Sequence, residues 1–414
     1  MSKLTRILRS FAVNAPMPYS SADDYSALRS RRRLAAFLHF FRLIKGIRIS
    51  PMNMLRFALA VSIFATVYFG MNHFVYSRLA DGLFENARAA IPLRIFLVLG
   101  SLTFFLGMFY RMWPPLFVLL RVGNIWLGLS AIAFTALIIK LPFDLAFPDH
   151  LRQMTLFAVA VILAVSGYSY YNAARPVRIK ELGLRSDKLP PGIGSFRLVQ
   201  ISDLHLSRLK SPEWLGGLIS AINGLSADAV VITGDVVDDD MPGLKEFVPA
   251  LKAIRSKHGV YAIAGNHDHY SGLDNMYELE REGGVRILNN EKVSVGGAVE
   301  ILGVDDENTA VMGNYKSFLA RNLNGSSLPV ILLKHRPTKF EKAVNAGVFL
   351  QLSGHTHAGQ IPPLDLIVHF VFTYPFGLYK RGNSYIHTSC GTSTWGPPMR
   401  LFSRSEVTLI TITR

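Results

Sequence analysis

The chain has 414 residues, enough for more than one compact domain, and half of them are hydrophobic, with a mean hydropathy of +0.27. Its formal charge of +15 is uneven: residues 1–175 carry 19 Lys and Arg against 6 Asp and Glu, while residues 176–414 carry 25 against 23. The excess lies beside or inside apolar segments, where positive-inside sorting and anionic headgroups account for it without nucleic acid, and the single cysteine, Cys390, excludes a disulfide framework and a zinc–thiolate cluster.

Residues 1–53 form a basic segment holding Arg29, Arg31, Arg32, Arg33, Arg42, Lys45 and Arg48. So long a basic and polar stretch ahead of the first apolar run does not suit a cleavable secretory signal. Four runs then match the ~20 residues of a bilayer-spanning helix: 54–76, 91–110, 116–140 and 154–172, with Pro114-Pro115 suited to the turn between the second and third. Residues 54–175 are therefore expected to be a four-helix transmembrane domain. Arg121, inside the third run, is expected to snorkel toward the short loop holding Arg111 or to face a polar interior. Arg175, Arg178, Lys180, Arg185 and Lys188 follow the fourth run. Basic segments flanking an even number of spans predict that both termini, and everything after the fourth span, face the cytoplasm.

Residues 176–193 are expected to be a linker, with a turn at SDKLPPGIGS (186–195). From 194 to 414 the pattern alternates strand and helix. Predicted strands are Phe196–Ile201, Ala229–Thr233, Val260–Ala264, Val330–Lys334, Leu350–Leu352, Tyr385–Thr388 and Val407–Thr411; predicted helices cover 212–224, 243–257, 273–282, 314–323 and 337–346.

The chemistry-bearing residues follow the strands. Asp203 and His205 come after the first, Asp235 after the second, and Asn266, His267 and Asp268 after the third; His335 ends the next, and His355 and His357 follow the one after. In an α/β sheet the carboxyl ends of the strands are where ligands bind, so these loops should converge on one site. Carboxylate, amide oxygen and imidazole together suit Mn²⁺, Fe or Zn²⁺ better than Mg²⁺ or Ca²⁺. Two such ions could be held if one aspartate bridges them, the arrangement used for in-line displacement at phosphorus. Asp238-Asp239-Asp240 reads as a solvated turn, His269 as a rim residue, and His258, His369 and His387 as structural or rim residues, with His387 nearest the site. Lys334 and Arg336 flank His335 and could hold phosphate or lie on the surface. The segment 361–379 (IPPLDLIVHFVFTYPFGLY) is unusually apolar for a loop after such a motif, which suits contact with a lipid interface.

In this order, D-x-H, G-D, G-N-H-D, a lone His and G-H-T-H resemble the calcineurin-like metallophosphoesterase superfamily over residues 194–414. GHTHAGQIPP and GTSTWGPPMR resemble its branch with transmembrane helices ahead of the catalytic domain. The resemblance implies a transmembrane helical bundle followed by an α/β metallophosphoesterase domain, a two-sheet β-sandwich flanked by helices. It implies two divalent metal ions, manganese foremost: Asp203, His205 and His357 would hold one, Asn266, His335 and His355 the other, and Asp235 would bridge them. His267 would be the catalytic histidine, oriented by Asp268. The implied activity is hydrolysis of a phosphodiester, pyrophosphate or phosphomonoester, with a lipid-linked substrate suggested by the apolar segment; one similar class of enzyme cleaves the pyrophosphate of UDP-diacylglucosamine. The alternative is a transport or sensor module in which the spans do the work and the phosphoesterase domain regulates.

Overall fold

The computed structural model describes residues 51–239 and 241–414; the basic arginines at 29–48 and Asp240 lie outside the described residues. Four long helices come first: α1 (Pro51–Leu83), α2 (Ile91–Gly107), α3 (Phe117–Ala146) and α4 (Leu151–Ala174). All four are long and apolar enough to cross a membrane. Their outward surface is apolar, with Phe96, Leu99, Ile139, Phe157 and Leu163 each more than half exposed. Such a belt is costly in water and suited to hydrocarbon. Inside the bundle, Tyr68, Val75, Leu97, Trp126, Leu137 and Ile162 pack together. Asn72 Oδ1 accepts from Trp126 Nε1 at 3.3 Å and Ser130 Oγ at 2.9 Å, which ties α1 to α3. Near the end of α3, Lys140 and Asp144 form one buried ion pair.

A two-sheet α/β domain follows. One sheet has the order β1 (Arg178–Arg185), β12 (Glu406–Thr413), β2 (Ser195–Ile201), β3 (Ala229–Thr233), β4 (Val260–Ile263), β5 (Arg286–Ile287), and the other β10 (Gly377–Arg381), β11 (Ser384–Thr388), β9 (Leu350–Ser353), β8 (Val330–Lys334), β7 (Val299–Val304), β6 (Lys292–Val295). In the first, β2 (Ser195–Ile201), β3 (Ala229–Thr233) and β4 (Val260–Ile263) are parallel neighbours; in the second, β8 (Val330–Lys334) and β9 (Leu350–Ser353) are. These strands are short continuous apolar runs because both faces are covered. Along β3, Ala229 and Val231 face the second sheet, while Val230 and Ile232 face a helical layer through Leu215, Leu218 and Ile219 of α5 (Pro212–Asn223). On the far side, Leu302 and Leu332 pack against Phe318 and Phe340. The layers therefore run helix, sheet, sheet, helix.

Several elements differ from the sequence expectation, and strands β5, β6, β7 and β10 lie outside the predicted set. Residues Arg178–Arg185, expected within the linker, form strand β1 and pair in parallel with β12 (Glu406–Thr413). The helix expected at 243–257 is broken into Met241–Leu244, Lys245–Phe247 and Val248–Lys252; Pro249 has no N–H to continue the ladder. Within the apolar loop, Leu364–Val371 form a helix, α10.

The domain is docked onto α3 and α4. Asn172 Nδ2 donates to the Arg400 carbonyl at 2.9 Å and the Ser403 carbonyl at 3.0 Å, and the Arg400 N–H donates to the Ser169 carbonyl. Ala131 and Ile132 of α3 pack against Ile361 and Met399.

Candidate active site

Both sheets feed one cluster at their carboxyl edges. Asp203 and His205 follow β2, Asp235 follows β3, Asn266 and His267 open helix α6 (Asn266–Ser271) after β4, His335 follows β8, and His355 and His357 follow β9. Asp203, His205, Asp235, His355 and His357 all adopt positive φ, the left-handed region that side chains avoid. Strain repeated at these positions, among residues that share one site, is held there by the surrounding structure. Two glycines make room for it. A Cβ at Gly354 would lie 1.9 Å from Ser202 Oγ and 2.3 Å from Asp203 Oδ2, and one at Gly265 would lie 2.2 Å from Asp235 Oδ1.

Among the described residues, ligand atoms gather in three groups that each fit within 4.8 Å: Asp203, His205 and His357; Asp235, His335 and His355; and His205, Asp238 and His267, the last being the hydrogen-bonded set behind the first. His205 Nε2 and His357 Nε2 face each other at 3.0 Å, with Asp203 Oδ1 3.6 Å from the latter. Asp235 Oδ2 lies 3.1 Å from His335 Nε2 and 3.9 Å from His205 Nε2, so its carboxylate stands between the first two groups. The protons are set from behind. His335 Nδ1 donates to the Thr233 carbonyl at 2.8 Å, and His205 Nδ1 to Asp238 Oδ2 at 2.9 Å, which turns each Nε2 lone pair into the site. Asn266 Oδ1 is buried with no hydrogen-bond partner among the described residues. An uncoordinated buried amide oxygen is costly, and a cation would relieve it. The donor set therefore fits a pair of cations.

Asp238 corrects the expectation of a solvated Asp238-Asp239-Asp240 turn. Its Oδ2 takes His205 Nδ1 and its Oδ1 lies 2.9 Å from His267 Nδ1. Despite burial, which alone would raise it, the two imidazoles hold the Asp238 carboxyl well below the usual carboxylate range. Burial opposes the His267 cation, but Asp238 outweighs it and raises the imidazole above its ordinary value. Asp239 is buried as well, accepting from Tyr110 Oη at 3.3 Å.

Asp268, expected to orient His267, faces the other way. Its carboxylate accepts backbone N–H groups from Val236 at 2.9 Å, Val237 at 2.8 Å and Gly265 at 2.7 Å. Adjacent residues of a helix point about 100° apart, so position 268 cannot serve position 267. The remaining candidates are engaged elsewhere. Lys334 is fully buried and pairs with Asp306 at 2.6 Å; Arg336 pairs with Glu307. His269 Nε2 pairs with Asp305 at 2.9 Å, His258 stacks on Phe196, and His369 bonds the Asp365 carbonyl. His387 is buried between Gln200 Oε1 at 2.7 Å and Lys180 Nζ at 3.2 Å, and burial with Lys180 beside it pushes its imidazole down to about 3.

A cleft of about 500 Å³ opens over Asp235, Asn266, His267 and His355. Its opposite wall is apolar: Leu364 and Val368 of α10, Phe372 and Trp395. The Trp395 ring stands edge-on to His267 at 5.3 Å.

A family model for calcineurin-like phosphoesterases matches residues 196–359, which contain every residue of this cluster. An uncharacterized metallophosphoesterase from Helicobacter pylori is 32% identical over 289 residues, covering 68% of this chain and 76% of that protein. The chain belongs to the calcineurin-like phosphoesterase family. Within it, a transmembrane protein with metallophosphoesterase domain from Bos taurus is 33% identical over 280 residues, 63% of each chain. The uncharacterized metallophosphoesterase YkuE of Bacillus subtilis is 32% identical over 276 residues, 62% of this chain and 93% of its own. The protein is thus a family member with four candidate membrane spans ahead of a phosphoesterase domain.

Proposed function

We propose that the protein hydrolyses a lipid-linked phosphodiester, pyrophosphate or phosphomonoester at the membrane surface, with Asp203, His205 and His357 holding one divalent cation, Asn266, His335 and His355 a second, and Asp235 shared. The observation that carries this reading is the pair of buried ligand groups meeting at Asp235 beneath an apolar cleft wall. When bound, such a cation pair supplies Lewis acidity toward phosphoryl oxygens and makes water acidic enough to attack; manganese suits the mixed oxygen and nitrogen donors, as iron or zinc would. The chain's own residues do the rest. His267, held at Nδ1 by Asp238, turns Nε2 to the cleft as a cation that can neutralise a phosphoryl oxygen or protonate the leaving oxygen. Asp235 also accepts the His267 backbone N–H at 2.8 Å, which fixes the spacing between that imidazole and the ligand groups.

A lipid-linked substrate is favoured by the helix that walls the cleft. While Leu364 and Val368 line it, Leu366, Ile367, Phe370 and Val371 of the same helix are exposed, Phe370 by 89%. A short helix with apolar residues both lining the cleft and facing solvent suits immersion in an interface next to the spans. By the charge of Arg175, Arg178, Lys180, Arg185 and Lys188, this reading puts the hydrolase domain and both termini on the cytoplasmic side.

The test is Mn²⁺-dependent hydrolysis of bis-p-nitrophenyl phosphate by the detergent-purified protein, set beside a long-chain phosphate ester and its water-soluble headgroup. Activity is expected in the wild type and lost in Asp235→Asn and on chelation, with kcat/KM higher for the long-chain ester. Metal-loaded, folded protein that cleaves none of the three would overturn the hydrolase reading, and equal use of ester and headgroup would overturn the lipid preference.

A further inference from the structure

A second cavity, of about 250 Å³, lies on the other side of His205, between the membrane helices and the hydrolase domain. Arg121 and Asn124 of α3 line one side, and Lys210, Thr394, His205 and Asp238 the other. The position of Arg121 follows from helix length. With 30 residues, α3 is ~45 Å long at 1.5 Å per residue, against a hydrocarbon core of ~30 Å. The surplus is ~10 residues, and Arg121 stands within the first two turns. The docked loop around Met399 meets the same helix further along, at Ala131 and Ile132, so this face of α3 belongs to the domain as much as to the lipid.

The charge lining this cavity is unbalanced. Arg121 lies over the Phe117 ring at 4.8 Å and has no carboxylate partner among the described residues. Among the described residues Lys210 Nζ donates to the Thr394 carbonyl at 3.2 Å and Thr394 Oγ1 at 3.3 Å, and lies 5.8 Å from the Trp214 ring. Asp238, the one carboxylate lining it among the described residues, already serves His205 and His267. Among the described residues, two cations thus face a half-enclosed space without an anion of their own, and of the walls His205 belongs to the metal-ligating cluster and Asp238 holds it from behind. Guanidinium and ammonium groups converging in this way are the usual recognition set for phosphate.

We infer that this cavity is a second phosphate subsite, built jointly by the membrane helix and the hydrolase domain, that takes a phosphate-type anion next to the reacting phosphoryl group. It rests on the hydrolase reading only for the identity of that neighbour. The anion has two possible sources: a second phosphoryl group of the substrate, or the headgroup of a phospholipid at the interface.

The experiment is anion binding to the full-length, chelator-treated protein, in which anchoring by metal at the first site is removed. Inorganic phosphate, inorganic pyrophosphate, and vesicles of phosphatidylcholine with or without phosphatidic acid are the probes, read by thermal shift and titration. The wild type is expected to bind pyrophosphate or the phosphatidic acid vesicles, and Arg121→Gln and Lys210→Gln to weaken that binding at least tenfold, with Arg121→Lys recovering part of it. A tenfold loss for soluble pyrophosphate identifies the substrate's own second phosphate as the source. A loss confined to the phosphatidic acid vesicles identifies the lipid headgroup. If the chelated wild type binds none of the probes, or if the folded Gln variants bind as the wild type does, the subsite does not exist. Failure of the metal-loaded wild type to hydrolyse any ester would sink the hydrolase reading alone, since anion binding is read without turnover.

Discussion

Replacing Asp238 with Asn is the most discriminating perturbation of the site, because it separates the carboxylate that holds His267 Nδ1 from Asp268, its neighbour in the sequence. Asp238 serves His205 Nδ1 and His267 Nδ1, each at 2.9 Å, while being mostly buried. Asn is nearly isosteric but uncharged, and presents one acceptor and one NH₂ group. It can satisfy one imidazole and must oppose the other. A hydrogen bond to a charged group contributes about 1.5–3 kcal/mol, and 1.4 kcal/mol is a tenfold change. The expected loss in kcat/KM is therefore about 10–100-fold, within the range found for partners that orient metal-ligating histidines. The pH profile should move as well. Asp238 raises the His267 imidazole, so a requirement for protonated His267 is met at low pH and lost as pH rises through its raised value. Without the carboxylate that basic limb moves to lower pH. Asp268→Asn is the control: its amide oxygen can still accept the Val236 and Val237 N–H groups, but its NH₂ opposes the Gly265 N–H, so it should lower Tm without moving the limb. The assay is bis-p-nitrophenyl phosphate hydrolysis from pH 5 to 10 with both variants. Wild-type kcat/KM in Asp238→Asn, or a larger shift of the basic limb in Asp268→Asn, would refute the assignment.

Two further outcomes follow from the same geometry. Gly354→Ala should abolish or nearly abolish hydrolysis and lower stability by about 1–3 kcal/mol, since the new methyl would overlap Ser202 Oγ and Asp203 Oδ2; a variant with full metal content and turnover would show that the loop relaxes freely. His387 tests linkage. Its imidazole is held at about 3 in the fold against about 6.5 unfolded, so the unfolded chain takes up a proton that the fold refuses. Stability is then lost as pH falls from about 6.5 toward 3, by up to about 1.4 kcal/mol per unit. His387→Gln, which can still meet Gln200, should lose about 2 kcal/mol less than the wild type between pH 7.5 and 5, as read from denaturation midpoints. An unchanged pH dependence would contradict a neutral, buried His387.

The candidate ligand positions could be read from the sequence because each follows a short apolar strand buried on both faces, and such strands end abruptly where the chain leaves the sheet. β3 illustrates this: five buried residues, then Gly234 and Asp235. Asp238 could not be found that way. Its position depends on a single bridge between Leu206 and Val237, with the Leu206 N–H donating to the Val236 carbonyl and the Asp238 N–H to the Leu206 carbonyl. That parallel bridge holds the two loops side by side and brings Asp238 within reach of His205, a pairing that no local propensity encodes. Three consecutive acids meanwhile carry a strong local signal for a solvated turn. β1 was hidden for a related reason. Arg178, Lys180 and Arg185 read as membrane-flanking charge, yet they also suit an exposed sheet edge, where charged side chains deter further pairing.

Arg121 was ambiguous in isolation because a charge in an apolar run has several homes, and only the docking of the domain selects one. That docking runs through Arg400, whose side chain is fully buried. Its guanidinium donates to the carbonyls of His357 at 3.2 Å, Cys390 at 2.8 Å and Ser393 at 2.7 Å, while its own N–H and carbonyl are bonded to Ser169 and Asn172 of α4. One residue therefore joins the last candidate span to the backbone of His357, a candidate ligand. A buried guanidinium cannot give up these carbonyls without leaving its charge and their lone pairs unsatisfied, so separating α4 from His357 here is costly. On this geometry the spans fix part of the site's shape, which is more than tethering the domain to the bilayer requires.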